Sequence, residues 1–307
     1  MINLQNKTVV VTGGEGFLGK YVVSVLHNRN ARVQVVTHSH DSLEYLDNQI
    51  RFFRRYKPEF VVHCAGFNGG IRFNQLYPAD IFYMNTVMGL NLLKMCREYD
   101  VKKVVSLITS CAYPNKDILC EDDFYEGKPE PTVSPHAYAK RNIDLASRFY
   151  REQYDLNAVT VCPNTIYGPG DRTNPDRTKV TTALIKRFVD AKRDNLPQVE
   201  CWGTGSPKRE FIYVTDAAEL VVKSLELYDN PGVLNLGTGQ ECTIKELSEL
   251  IARLVGYTGK IIWDTTKPDG QARKLLKSDR MKELFGPMEF VSLEKGLLNT
   301  IKWYENL

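Results

Sequence analysis

A chain of 307 residues, 43% hydrophobic and 25% charged, has the length for about two domains, or for one with a large insertion, and enough material for a full core. Its 40 basic and 37 acidic side chains are interleaved and leave a net charge of +3, which excludes a broad nucleic-acid-binding face and confines any basic cluster to a pocket for an anionic ligand. No apolar run can span a bilayer, the N-terminal residues lack the regions of a signal peptide, and the seven cysteines are scattered without C-x-x-C spacing, so a cytoplasmic chain with reduced thiols, no metal site and no membrane contact is expected.

The first element, Thr8 to Thr12, is a β-branched run that ends in Gly13, Gly14 and Gly16. It passes into Phe17-Leu18 and Tyr21-Val22-Val23, spaced for a helix packed on a sheet. Strand, tight turn and helix at the head of a βαβ pattern predict a dinucleotide site. The first three glycines let the backbone turn sharply and approach a pyrophosphate, and Gly19 lets the helix lie close to the strand. The helix N-terminus, with Phe17 and Leu18 in its first turn, then faces the phosphates.

Arg32 to Thr37 reads as the second strand and ends in His38-Ser39-His40. A carboxylate that would hold the ribose 2′-OH of NAD is missing there, which favours NADP, with His38, Ser39 or His40 toward the 2′-phosphate. The third strand, Phe60 to Gly66, runs into the small residues Ala65 and Gly66, as suits backbone beside a cofactor. Asn85 to Tyr99 has helical periodicity, as does His136 to Tyr154; strands are expected at Lys103–Ile108 and Asn157–Cys162. Beyond Pro163 the alternation loosens into a turn-rich loop, Asn164 to Arg172, followed by a helix from Lys179 to Ala191. Short strands near Val199–Trp202 and Phe211–Tyr213 come next. A helix from Asp216 to Leu227, a strand Val233–Gly237, a helix Ile244–Val255 and a turn at Lys267–Gly270 complete the reading. The expected fold is α/β, a doubly wound parallel sheet of Rossmann type with a smaller C-terminal substrate-binding cap. Residues 1–163, joined by 211–238, form the dinucleotide-binding part, and 164–210 with 239–307 form the cap.

A set of motifs in order along the chain carries a resemblance: Tyr77-Pro-Ala-Asp80, Ser110-Cys111-Ala-Tyr113-Pro114, Glu130-Pro-Thr132, Tyr167-Gly-Pro169, Trp202-Gly-Thr-Gly205, Arg209-Glu-Phe211, Asn235-Leu-Gly-Thr-Gly239 and Lys267-Pro-Asp-Gly270. The chain resembles, over essentially its whole length, the extended short-chain dehydrogenases that act on nucleotide sugars, and among them the GDP-L-fucose synthases, NADPH-dependent epimerase-reductases of GDP-4-keto-6-deoxymannose. The resemblance implies further cofactor contacts at Asp47, Lys140, Pro163 and Ile166. It implies a GDP-linked keto-sugar substrate held by Asn164, Thr165, Lys186, Arg187, Trp202, Arg209 and Lys267. It also implies a homodimer built from the Asn85–Tyr99 and His136–Tyr154 helices of two subunits.

The resemblance puts the carbonyl-polarising hydroxyl at Thr109 and the lysine that tunes the proton donor at Lys140. His136 stands where the family has its tyrosine. Tyr138 is no substitute, since two residues along a helix are a rotation of roughly 200°. An imidazole near pH 6.5, lowered further by Lys140, predicts a reductase fastest at mildly acidic pH. For epimerisation the resemblance assigns Cys111 as the base, with its partner at Lys179, a Cys and Lys pair like that of GDP-mannose 3,5-epimerase. Three functions follow: an NADP-dependent reductase with or without C3/C5 epimerisation, a 4-keto-sugar epimerase without net redox, and a nucleotide-sugar-binding relative whose site has decayed.

Overall fold

Short β-branched runs separated by amphipathic segments build the centre of the molecule. The computed structural model describes residues 1–37, 42–174, 177–267 and 269–307. Its first half contains β1 (Thr8–Thr12), α1 (Phe17–Asn28), β2 (Arg32–Val36), α2 (Leu46–Tyr56), β3 (Phe60–His63), α3 (Ile71–Leu76), α4 (Pro78–Glu98), β4 (Lys103–Leu107), β5 (Ile118–Leu119), α5 (Ser134–Tyr154) and β6 (Ala158–Pro163). The second half contains β7 (Thr165–Tyr167), α6 (Val180–Arg193), β8 (Gln198–Trp202), β9 (Lys208–Tyr213), α7 (Val214–Leu227), β10 (Val233–Leu236) and β11 (Glu241–Thr243). The chain ends with α8 (Ile244–Val255), β12 (Lys260–Asp264), β13 (Arg273–Leu276), α9 (Asp279–Phe285) and α10 (Leu293–Glu305).

Six parallel strands form one sheet in the order β2-β1-β3-β4-β6-β10. The strand period of two divides their side chains between two cores. Val9, Val11, Val62 and Val105 face α1 and α7, where they meet Val22, Leu26 and Leu220. Val10, Val61 and Val104 face the other way, onto Phe52 and Phe53 of α2 and Leu92 and Leu93 of α4. Burial on both faces explains why these strands read as continuous apolar runs rather than alternating ones. The chain leaves β1 for β2 on one side and returns to β3 on the other, so the carboxyl ends of β1 and β3 open the crevice in which such sheets bind ligands.

A third core joins Leu184 and Phe188 of α6 to Leu247 and Ile251 of α8 and to Leu297 and Ile301 of α10. Two smaller sheets accompany it, β12-β8 and β11-β9-β13-β5, with β7 also on β9. The register of the short strands sets β13 parallel to β9 with Lys274 opposite Arg209.

Several sequence boundaries shift. α4 begins at Pro78 rather than Asn85, because Pro is accommodated at the start of a helix while the exposed Phe82 and Tyr83 hide the periodicity there. β3 ends at His63, and Cys64 to Gly66 leave the sheet to pass along the crevice.

Candidate active site

The crevice between β1 and β3 is a cleft of about 570 Å³ whose walls include Gly13, Gly16, Phe17, Leu18, Gly19, Ala65 and Gly66. Gly13 has φ +67°, and a Cβ there would lie 2.8 Å from the Ala65 backbone; one on Gly19 would lie 2.0 Å from the Gly13 carbonyl oxygen. Glycine is therefore required at both positions. α1 starts at Gly16 with no side-chain cap and no acidic residue in its first turn, leaving its N–H groups and positive dipole end free for an anion. Asn85 fixes the opposite lip, donating to Phe67 O at 2.7 Å and accepting from Phe67 N at 3.0 Å.

The same cleft gathers cations that sequence reasoning passed over. Arg172 and Arg177 line it with Lys179, and both guanidinium groups donate to Asn68 O, at 2.7 Å and 3.0 Å. They sit in the turn-rich loop after β7, where only spatial proximity to the glycine turn distinguishes them from surface charges. Other expected cofactor residues lie off these walls. Asp47 is exposed in the first turn of α2, where its carboxylate complements the helix dipole, and Ile166 is buried in the core under α7. Pro163 ends β6 outside the lining. His38 lies outside the described residues, as do Ser39 and His40.

His136 and Lys140 stand one turn apart on α5, both buried. Burial, then Lys140 and Lys179, push the His136 imidazole down to about 3; burial pulls the Lys140 ammonium down to about 8 against the opposing effect of Cys64. The mildly acidic optimum expected from sequence is thereby corrected. Lys140 was visible in the sequence but burial was not, and burial makes His136 a neutral imidazole at any pH near neutrality. Tyr138 is 40% exposed and lies by Arg141 on another face of the helix.

A second buried histidine, His63 at the end of β3, bonds Thr12 Oγ1 through Nδ1 at 2.8 Å and is also pushed down to about 3, by burial first and then by Lys140. A histidine with a depressed folded pKa is neutral in the fold and gains a proton on unfolding. Stability therefore rises with pH between about 3 and the unfolded value of 6.5. Between pH 7 and 5.5 the two histidines are expected to withdraw roughly 2–3 kcal/mol from the stability measured by urea unfolding, and His136→Phe to recover about half of that.

Thr109 closes β4 and caps a single helical turn, Ser110–Ala112, by accepting the Cys111 N–H at 3.3 Å. Arg141 ties this turn to α5, donating to Ala112 O at 2.6 Å and to Gly127 O at 2.8 Å. The helix that carries His136 and Lys140 thus also positions Thr109 and Cys111. Cys111 is partly buried, and its Sγ lies 3.4 Å from Lys274 Nζ. Lys179 precedes α6 in the cleft wall, 6.0 Å from the Phe17 ring centre, and its charge acts on His136. Lys274 reaches the Cys111 sulfur because the pairing of β13 with β9 and β5 brings it there from 163 residues away.

Farther out, the Trp202 indole is 58% exposed between two cations, Arg187 at 5.5 Å and Lys267 at 6.0 Å from its ring centre. A planar face flanked by cations suits an aromatic base carrying phosphates. Arg209 is largely buried and donates to Gln271 O at 2.5 Å and to Lys208 O at 2.8 Å. Asn164 donates to Glu210 and accepts the Thr165 N–H at 2.9 Å, which anchors the start of β7. Lys186 departs from expectation: it bonds Asp190 at 2.7 Å and the Tyr304 hydroxyl at 3.2 Å. One residue is a rotation of about 100° on a helix, so Lys186 and its neighbour Arg187 point to different partners. Among the described residues no group of His, Cys, Asp or Glu side chains could hold a metal ion, and no helix is long and apolar enough to cross a membrane.

The NAD dependent epimerase/dehydratase family model matches residues 9–237. The GDP-L-fucose synthase of Escherichia coli strain K12 is 35% identical, the match covering 98% of this chain and 97% of that protein. The GDP-L-colitose synthase of Yersinia pseudotuberculosis is 32% identical, over 97% and 98%. A crystal structure of a GDP-L-fucose synthetase from Naegleria fowleri bound to NADP has a TM-score of 0.90 and 26% identity, covering 98% of this chain and 95% of that one. Glycine turn, sheet order and these similarities agree: the chain belongs to the NAD dependent epimerase/dehydratase family, among the relatives of GDP-L-fucose synthase.

Proposed function

We propose that this chain is an NADP-dependent reductase of a GDP-linked 4-keto sugar that also epimerises the carbons beside the keto group, C3 and C5. One juxtaposition carries the reading. Lys140 acts on Cys64 in the wall of the dinucleotide cleft and on His136 one turn away, while Arg141 of the same helix holds the turn bearing Thr109 and Cys111. A hydroxyl, an imidazole and an ammonium at the edge of a cofactor cleft are the groups that carbonyl reduction requires.

The cleft fits a phosphorylated dinucleotide. The glycine turn and uncapped α1 take the pyrophosphate, and Arg172, Arg177 and Lys179 supply cations. Bound there, NADPH supplies the hydride. The Thr109 oxygen already accepts the Cys111 N–H, so its own proton is available to the keto oxygen. His136 delivers a proton as that oxygen becomes an alkoxide, and Lys140 returns one to the imidazole. Trp202, Arg187, Arg209 and Lys267 hold the GDP end. In this reading residues 1–163 and 211–238 bind the cofactor, and 164–210 with 239–307 bind the sugar nucleotide. The seven free thiols suit a reducing compartment, and we place the enzyme in the cytoplasm.

We also propose a homodimer through α4 and α5. Tyr83 and Leu90 on one helix, and Tyr138, Leu145 and Phe149 on the other, form an exposed apolar stripe across two packed helices. Sedimentation at micromolar concentration is expected to give twice the chain mass; a single-chain species overturns the dimer. The function is tested with NADPH and GDP-4-keto-6-deoxymannose, following cofactor absorbance and sugar product together. Oxidation of NADPH matched by a reduced GDP-sugar supports it. Product without cofactor oxidation makes the chain an epimerase, and neither makes it a binding protein.

A further inference from the structure

We propose that Lys274 is the positioning residue that keeps Cys111 as a thiolate, so that the Cys111–Lys274 pair forms the basic arm of the epimerisation. The inference rests on the proposed function for its substrate, but the pair itself is a feature of the fold. Lys274 reaches Cys111 Sγ at 3.4 Å from β13. Its backbone is fixed on both sides, by β9 through Arg209 and by β5 through the Leu275 pairing with Ile118. Cys111 is held from the other direction, its N–H on Thr109 and its turn clamped by Arg141. Neither partner needs to move to make the contact.

The groups facing the sulfur come from several elements: Lys274 of β13, Arg209 of β9, Thr109 before the turn, Cys162 of β6 and, less favourably, Glu130. Burial alone would push the thiol up; Lys274, with help from Thr109, overcomes this and holds it below the ordinary thiol range. Burial instead pushes Cys64 up to about 12 and also raises Cys162. In the reaction the Cys111 sulfur takes a proton from the carbon beside the keto group. The C–H bond breaks, an S–H bond forms, and the electron pair moves onto the keto oxygen as an enolate. A proton from solvent added to the opposite face of that enolate completes inversion, and the thiol returns its proton to solvent. No oxidant or reductant is consumed. Lys274 takes no part in the proton transfer and acts only through the sulfur.

The test needs no sugar. The intact protein is treated with iodoacetamide across a pH series, and alkylation is quantified on the Cys111 peptide by mass spectrometry. The expected half-point lies below the ordinary thiol value of about 8.5. Lys274→Met is expected to slow Cys111 alkylation at neutral pH by ~10-fold or more, and Lys274→Arg to restore it to within ~3-fold. A parent half-point at or above the ordinary value, or a Lys274→Met protein alkylated as fast as the parent, overturns the proposal. If Lys274→Met does not fold, the parent half-point decides alone. Failure of the enzyme to turn over any 4-keto sugar would remove the proposed function yet leave this readout intact, so the two failures are distinguishable.

Discussion

Replacing His136 by Phe is expected to slow reduction of the 4-keto sugar by ~10²–10⁴-fold, the usual loss when a positioned general acid is removed. Phe fills the buried space next to Lys140, so the loss will appear in kcat with little change in cofactor binding. His136 is neutral in the fold because burial, Lys140 and Lys179 hold it near 3. In the proposed mechanism it donates its N–H to the forming alkoxide while receiving a proton from Lys140, rather than acting as an imidazolium. His136→Tyr supplies another donor on the same helical face and is expected to keep reduction within ~10-fold of the parent. Unchanged turnover in His136→Phe would move the proton donor to Thr109 or water and remove His136 from the mechanism.

Lys140→Met is expected to cost a comparable ~10²–10⁴-fold, and to change the shape of the pH profile as well. The ammonium is the active form. Burial lowers its pKa to about 8, so in the parent kcat is complete below that value and falls as pH rises through it. In Lys140→Met the residual rate should not fall across the same window. A parent profile that rises through pH 8 would contradict the assignment, because it would require the neutral amine.

The doubly wound sheet was legible because parallel strands buried on both faces leave unmistakable apolar runs, from Thr8–Thr12 to Val233–Leu236. The glycine turn was legible too, since Gly13 and Gly19 have no room for a Cβ. What escaped was set by tertiary placement. Lys274 lies in a two-faced run, Arg273 to Leu276, with nothing local to mark it; the register of β13 against β9 puts it on Cys111. Lys179 stands at the start of α6, and only the fold shows that it lines the cleft beside Phe17. Lys186 and Arg187 are adjacent in sequence and diverge on α6, one to Asp190 and the other to Trp202. The ionisation of His136 depends on burial, which a helical period alone does not quantify.

The most direct test of the account is the fate of one hydrogen. NADPH deuterated at C4 of the nicotinamide is incubated with GDP-4-keto-6-deoxymannose and the protein in ordinary water, and the GDP-sugar product is analysed by mass spectrometry and NMR. One deuterium per molecule is expected, bound to C4 of the sugar and formed in step with NADPH oxidation. A sugar product without deuterium at C4, with the label still on the nicotinamide, would contradict it.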